Sequence, residues 1–103
     1  MRWCKDPYIS EKVRKTHPDL ARELEEGRYS SKVWLIMLSP NGQDLLDVRK
    51  ASGLGVHGLE GIVPLLAGAA ASKGEALTLV ETIVQDCLNK TGGVDLRSFL
   101  SRE

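Results

Sequence analysis

Between residues 32 and 39 the chain reads KVWLIMLS. In an extended chain successive side chains point to opposite faces. Val33, Leu35 and Met37 therefore share one face, and Trp34, Ile36 and Leu38 share the other. Both sets are apolar, so the pattern predicts a strand covered on both sides. A second run, IVPLLAGAAA at 62–71, has no polar residue and predicts a second strand. Pro64 cannot donate to a ladder, which places it at a sheet edge or an irregular start. After Ser72 the period changes to that of a helix. Leu77, Val80, Ile83, Val84, Cys87 and Leu88 form one broad stripe over 72–90. Ser72 and Glu75 make an S-x-x-E capping box at its start, and Gly92 and Gly93 end it.

The remaining segments are less regular. Residues 1–9 show no clear period. Ser10 can cap a short helix through Lys15. Thr16, Pro18 and Asp19 read as the start of a second one, with Leu20 and Leu24 on one face and Gly27 as its stop. One bent helix or two short ones are expected over 10–26. Ser39-Pro40-Asn41-Gly42 is a turn cluster. QDLLDVRKAS at 43–52 reads as a short helix whose apolar residues are Leu45, Leu46 and Val48. The tail 94–101 suits a last helical turn or a short strand, with Leu96, Phe99 and Leu100 docking on the core.

The order is helix, strand, short helix, strand, long helix, tail. It predicts an α/β fold, with α+β as the alternative. The expected core is a small two-strand sheet in a parallel βαβ unit, since such crossovers are right-handed and parallel within one sheet. The long C-terminal helix and the N-terminal helical segment pack on it. At 103 residues, the span 1–103 has the size of a single domain.

Composition narrows the function classes. The chain is 42% hydrophobic and 27% charged, which is globular rather than disordered. Lys plus Arg and Asp plus Glu are equal at 14 each, so the basic excess of a nucleic-acid binder is missing. The start MRWCKD is followed by no apolar stretch of signal-peptide type, and the apolar runs are too short for a membrane-spanning helix. Cys4 and Cys87 stand far apart with no CxxC, so neither a disulfide framework nor a metal site is indicated. A cytoplasmic protein with two free thiols and no cofactor, metal, nucleic-acid or membrane partner is expected.

Gly53, Gly55 and Gly58 in GLGVHG fit the spacing G-x-G-x-x-G. In a dinucleotide fold that turn follows a strand and opens a helix. Here a helix is expected before it and a strand after it. Ser72 and Lys73 stand where the ribose-binding acid would be sought. The stretch reads as a linker with His57 exposed on it. A better anion candidate is the strand-to-helix junction at Ser72, Lys73 and Gly74, which offers a helix N-terminus, a hydroxyl and an ammonium. The competing reading makes Ser72 a plain cap and Lys73 a solvated side chain. His17 and His57 lack a carboxylate or serine at a telling spacing. Cys87 falls on the apolar stripe as a buried thiol. Cys4 sits in an irregular start where it could react, yet nothing nearby would lower its pKa. Trp34 belongs with the core.

The segment GIVPLLAGAAASKGEALTLVETIVQDCLNKTGGVDLRSFL resembles a family of short uncharacterised bacterial proteins. The likeness lies in Glu75-Ala76-Leu77, Leu79-Val80, Ile83-Val84, Lys90-Thr91-Gly92 and Asp95. The first strand running toward Asp44-Leu45-Leu46-Asp47 adds to it. The resemblance covers about two thirds of the chain, implies the strand-then-helix architecture, and implies no activity and no site residue. The GLGVHG linker departs from the family's pattern.

With no nucleophile–base pair, carboxylate pair or metal cluster, the sequence suggests a non-enzymatic binding or regulatory module acting through self-association or a protein partner. A small anionic ligand, or an enzyme, at the 62–71 to 72–90 junction is the alternative. A homodimer is expected because two strands apolar on both faces need more cover than these helices supply; the alternative is a monomer whose N-terminal helix and tail 94–101 seal the second face.

Overall fold

The computed structural model describes residues 2–28, 30–38, 46–52, 65–93 and 95–100. The elements run β1 (Arg2–Ile9), α1 (Glu11–Thr16), α2 (Leu20–Glu25), β2 (Trp34–Leu38), β3 (Leu46–Lys50), β4 (Leu65–Ala70), α3 (Lys73–Thr91) and α4 (Leu96–Leu100). The strands form one mixed sheet in the order β1-β4-β2-β3. Strand β1 runs parallel to β4, and β2 is antiparallel to both β4 and β3.

The expected pairing of the two apolar runs is present, but the two-strand parallel unit is not. Strands β2 and β4 are antiparallel, and four strands, not two, are found among the described residues. The expected helix at 43–52 is replaced, over Leu46–Lys50, by β3. With Leu46–Lys50 in β3, the described residues hold no helical crossover between β2 and β4, and the two strands run antiparallel. The alternation of Leu46 and Val48 with Asp47 and Arg49 suits a ladder, and pairing with β2 outweighs a weak local helix preference. Leu46 and Val48 stand opposite Leu38 and Ile36. They pack on the same apolar cluster. The expectations for Ser39 to Leu45, for Gly53, Gly55, His57 and Gly58, and for Pro64 lie outside the described residues.

Each face of the sheet has its own core. On one face Ile36, Leu38, Leu65, Ala67 and Cys4 meet Ala76, Ile83 and Cys87 of α3 and Leu96 and Leu100 of α4. On the other, Val33, Leu35, Met37, Leu66 and Ala69 meet Val13, Leu20 and Leu24 of α1 and α2. The tail is thus helical, and Leu96, Phe99 and Leu100 dock as expected. Both faces are covered within one chain, so the uncovered sheet that motivated a dimer is absent among the described residues.

Local chemistry explains the helix ends. Ser10 accepts from the Val13 N–H at 3.2 Å and caps α1. Thr16 caps nothing; its hydroxyl donates to the Lys12 carbonyl, because α1 continues through it. After α2, Gly27 takes a φ of 79°, a left-handed conformation that suits glycine. The Gly27 and Arg28 N–H groups then close on the Leu24 and Glu23 carbonyls. The stripe of α3 is narrower than the sequence suggests. Ala76, Ile83 and Cys87 form its buried line, and Leu77 and Leu88 fall on one flank, 49% and 39% exposed.

Candidate functional site

Strand β1 does not pair evenly with β4. Arg2 faces Leu65, but Tyr8 faces Gly68. The partner offset changes from 63 to 60, so β1 carries three more residues than β4 over this stretch. Two residues specify this bulge. Pro7 has no N–H to give to a ladder and suits an irregular position. Gly68 lets the Tyr8 carbonyl approach so closely that any Cβ at Gly68 would collide with it. A glycine inside an apolar strand often marks such a bulge or a close backbone approach.

The bulge forms one wall of a cleft of about 780 Å³, and the corner between α1 and α2 forms the other. Trp3, Pro7, Ile9, Pro18 and Leu20 give it an apolar lining, and Asp6, Arg14 and His17 bring charge. Arg14 is anchored through Nε, which donates to the Ile9 carbonyl at 3.3 Å. His17 Nδ1 lies 3.0 Å from Glu23 Oε1, with the two side chains 20% and 22% exposed. A carboxylate at Nδ1 favours the tautomer protonated there and leaves Nε2 as the second functional nitrogen. Glu23 stands six residues from His17, a spacing with no regular meaning in the sequence; it comes from the first turn of α2, brought back by the Pro18 corner.

Cys4 also lines the cleft, yet it is only 6% exposed, with Sγ 3.8 Å from the Ala67 carbonyl. Burial pushes its thiol pKa up. Cys4 sits in a strand, not in the irregular start expected for it, and, as expected, its pKa is not lowered. Cys87 is buried, as expected. Behind the bulge, the Tyr8 hydroxyl donates to Asp86 Oδ2 at 2.6 Å and ties β1 to α3. Burial, and then that carboxylate, raise the phenol pKa well above its usual value. Trp34 is half-buried against the α3-side core, with Lys50 Nζ 5.4 Å from its ring centre.

The junction residues are placed as a helix start. The Ser72 hydroxyl accepts from the Glu75 N–H at 3.1 Å, and the Ala76 N–H donates to the Ser72 carbonyl. Glu75 turns its carboxylate back onto the Ala71 N–H at 2.9 Å. The nearby Ser10 hydroxyl and the Ala71 N–H hold that carboxyl below its usual range. Lys73 and Gly74 are exposed. The N-termini of α1 and α3 thus meet at a carboxylate that the chain itself supplies. Among the described residues no group of three His, Cys, Asp or Glu could hold a metal ion.

Asp6, Pro7 and Arg14 went unnoticed in the sequence. The signals were a proline in a short N-terminal run and a glycine within the apolar run at 68. Helices and strands around one mixed sheet, with a cleft beside a bulged strand, define the architecture. Compared with known proteins, the chain matches no family model, no curated protein and no solved structure. No helix among the described residues is long and apolar enough to cross a membrane.

Proposed function

We propose that this protein is a small non-enzymatic binding module that works by self-association, with the exposed flank of α3 as its contact surface. One observation carries the reading. Leu77 and Leu88 are the exposed large hydrophobic residues of the described chain. Between them on the same flank lie the half-buried Val80 and Val84. The stripe spans about 16 Å at 1.5 Å per residue. Its order, Leu77-Val80-Val84-Leu88, reads nearly the same from either end. In a two-fold antiparallel pairing Leu77 of one copy meets Leu88 of its partner, which is the self-complementarity an isologous interface requires. A formal net charge of zero sets no long-range repulsion against the encounter.

Four side chains per copy make a small interface, of roughly 1,200 Å² or less in total, so the dimer belongs to the weak, reversible class. Sedimentation equilibrium from low to high micromolar concentration tests it. The expected result is a mass rising toward twice 11.3 kDa. Leu88→Glu holds the mass at the monomer value while leaving the circular dichroism spectrum unchanged. A wild-type chain that stays monomeric throughout that range refutes the reading.

The α3 junction at Ser72, Lys73 and Gly74 remains the second reading, for a small anion. Lys73 and the N-terminus of a 19-residue helix favour it. The Glu75 carboxylate beside them opposes it.

A further inference from the structure

We infer that the cleft between the β1 bulge and the α1–α2 corner binds a small zwitterion with an apolar body, of the amino-acid or short-peptide class. Three features on separate elements converge there. The first is room: the cleft is open to solvent and has a volume of about 780 Å³, enough to seat a small organic ligand. The second is a pair of opposite charges. Asp6 stands on the bulge and Arg14 on α1, and neither enters a salt bridge among the described residues. Arg14 is fixed by its Nε alone, which leaves the two terminal nitrogens of the guanidinium to fork onto a carboxylate. Asp6 offers the complementary acceptor for an ammonium group. The third is the lining of Trp3, Pro7, Ile9, Pro18 and Leu20, which favours an apolar side chain between two charged ends. Simple anions fit this set poorly, since Asp6 repels them, and simple cations meet Arg14.

The bulge makes the arrangement specific. In an evenly paired β1, Asp6 would sit in the ladder opposite β4. The extra residues and Pro7 bring it into the cleft wall instead, and bulges commonly re-aim side chains in this way next to sites.

Isothermal titration calorimetry of the whole chain tests the proposal. The probes are L-leucine, leucyl-leucine, 4-methylpentanoate, isoamylamine and inorganic phosphate. The zwitterions are expected to bind, and the singly charged compounds and phosphate to bind at least about tenfold more weakly. Of the two zwitterions, the tighter one tells whether the cleft takes a free amino acid or a peptide. Arg14→Gln and Asp6→Asn change exposed positions and leave the circular dichroism spectrum intact. Each is expected to weaken the zwitterions by about tenfold or more, while Asp6→Asn narrows the gap to 4-methylpentanoate. The proposal is overturned by silence of both zwitterions at roughly 10 mM. It is equally overturned if phosphate or 4-methylpentanoate binds as well as they do, or if neither substitution alters their affinity.

Discussion

Gly68 shows how much one missing side chain can decide. It lies in a strand whose six residues are all buried, opposite both Ile36 of β2 and Tyr8 of β1. The Tyr8 carbonyl occupies the space a Cβ would need, and a backbone atom cannot rotate aside as a side chain can. Gly68→Ala must therefore move β1 away from β4 at the point where the ladder resumes after the bulge. Overpacking of this kind costs about 1–3 kcal/mol, and a rigid backbone partner places it at the upper end. Urea denaturation is expected to show a loss of at least about 2 kcal/mol, with the Tyr8–Asp86 hydrogen bond weakened as β1 shifts. An unchanged midpoint would falsify this account of the bulge. Alanine at Gly74, where nothing lies within 4 Å of a built Cβ, is the matched control and should be nearly silent.

At the scale of elements, the starts of α1 and α3 are coupled through Glu75. Its carboxylate is stabilised by the nearby hydroxyl of Ser10, the cap of α1, and accepts from the Ala71 N–H at 2.9 Å, just before α3. The Ser10 N–H in turn donates to the Ala69 carbonyl of β4 at 2.9 Å. These bonds favour the ionised carboxylate, so the folded pKa lies below the ordinary value of 4.5. Between the two values the unfolded chain binds the proton more readily. The contribution is thus full above about pH 4.5 and is lost as pH falls through the lower folded value. Glu75→Gln is expected to cost about 1 kcal/mol at neutral pH, the usual worth of a helix-start interaction. Denaturation curves from pH 7 to pH 3 should show wild type and variant converging on the acid side. Parallel curves across the whole range would mean that the carboxylate charge has no part in this joint.

For the whole molecule, the decisive feature is that one sheet separates two cores. Cys4 and Cys87 both belong to the core beneath α3, one from the first strand and one from the last long helix. Cys87 Sγ also donates to the Gly93 carbonyl at 3.4 Å, beyond the helix end. Reaching Cys87 requires parting α3 from the sheet, whereas Cys4, on the wall of the cleft, is uncovered by release of β1. Cys87 is therefore expected to react with a thiol reagent such as DTNB only at the rate of opening of the α3-side core, and Cys4 at the rate of release of β1, both far slower than a free thiol. Fast modification of Cys4 alone would show that β1 detaches independently, which would also undo the cleft. Comparing that rate with and without leucyl-leucine links this test to the cleft, because a ligand held between β1 and the α1–α2 corner slows release of β1.

Much of this architecture follows from local sequence. The β2 run is apolar at every position and could only be buried on both faces. Ser72, Glu75 and Gly92 mark the ends of α3 by the chemistry of orphan N–H and C=O groups, which acts within a few residues. Ser10 and Gly27 do the same for α1 and α2. Tertiary structure decided the rest. LDVRK became a strand because β2 offered it a ladder, a partner no local window contains. Strand β1 was hidden because three extra residues and Pro7 break the period-two pattern, and only Gly68, about sixty residues on, lets the pairing resume. The cleft depends on that same distant pair, and His17 found Glu23 only once the chain turned at Pro18. Caps and periodicity are short-range and survive in the sequence as patterns, whereas strand order, the bulge and the cleft are set by contacts between segments whose separation along the chain carries no signal.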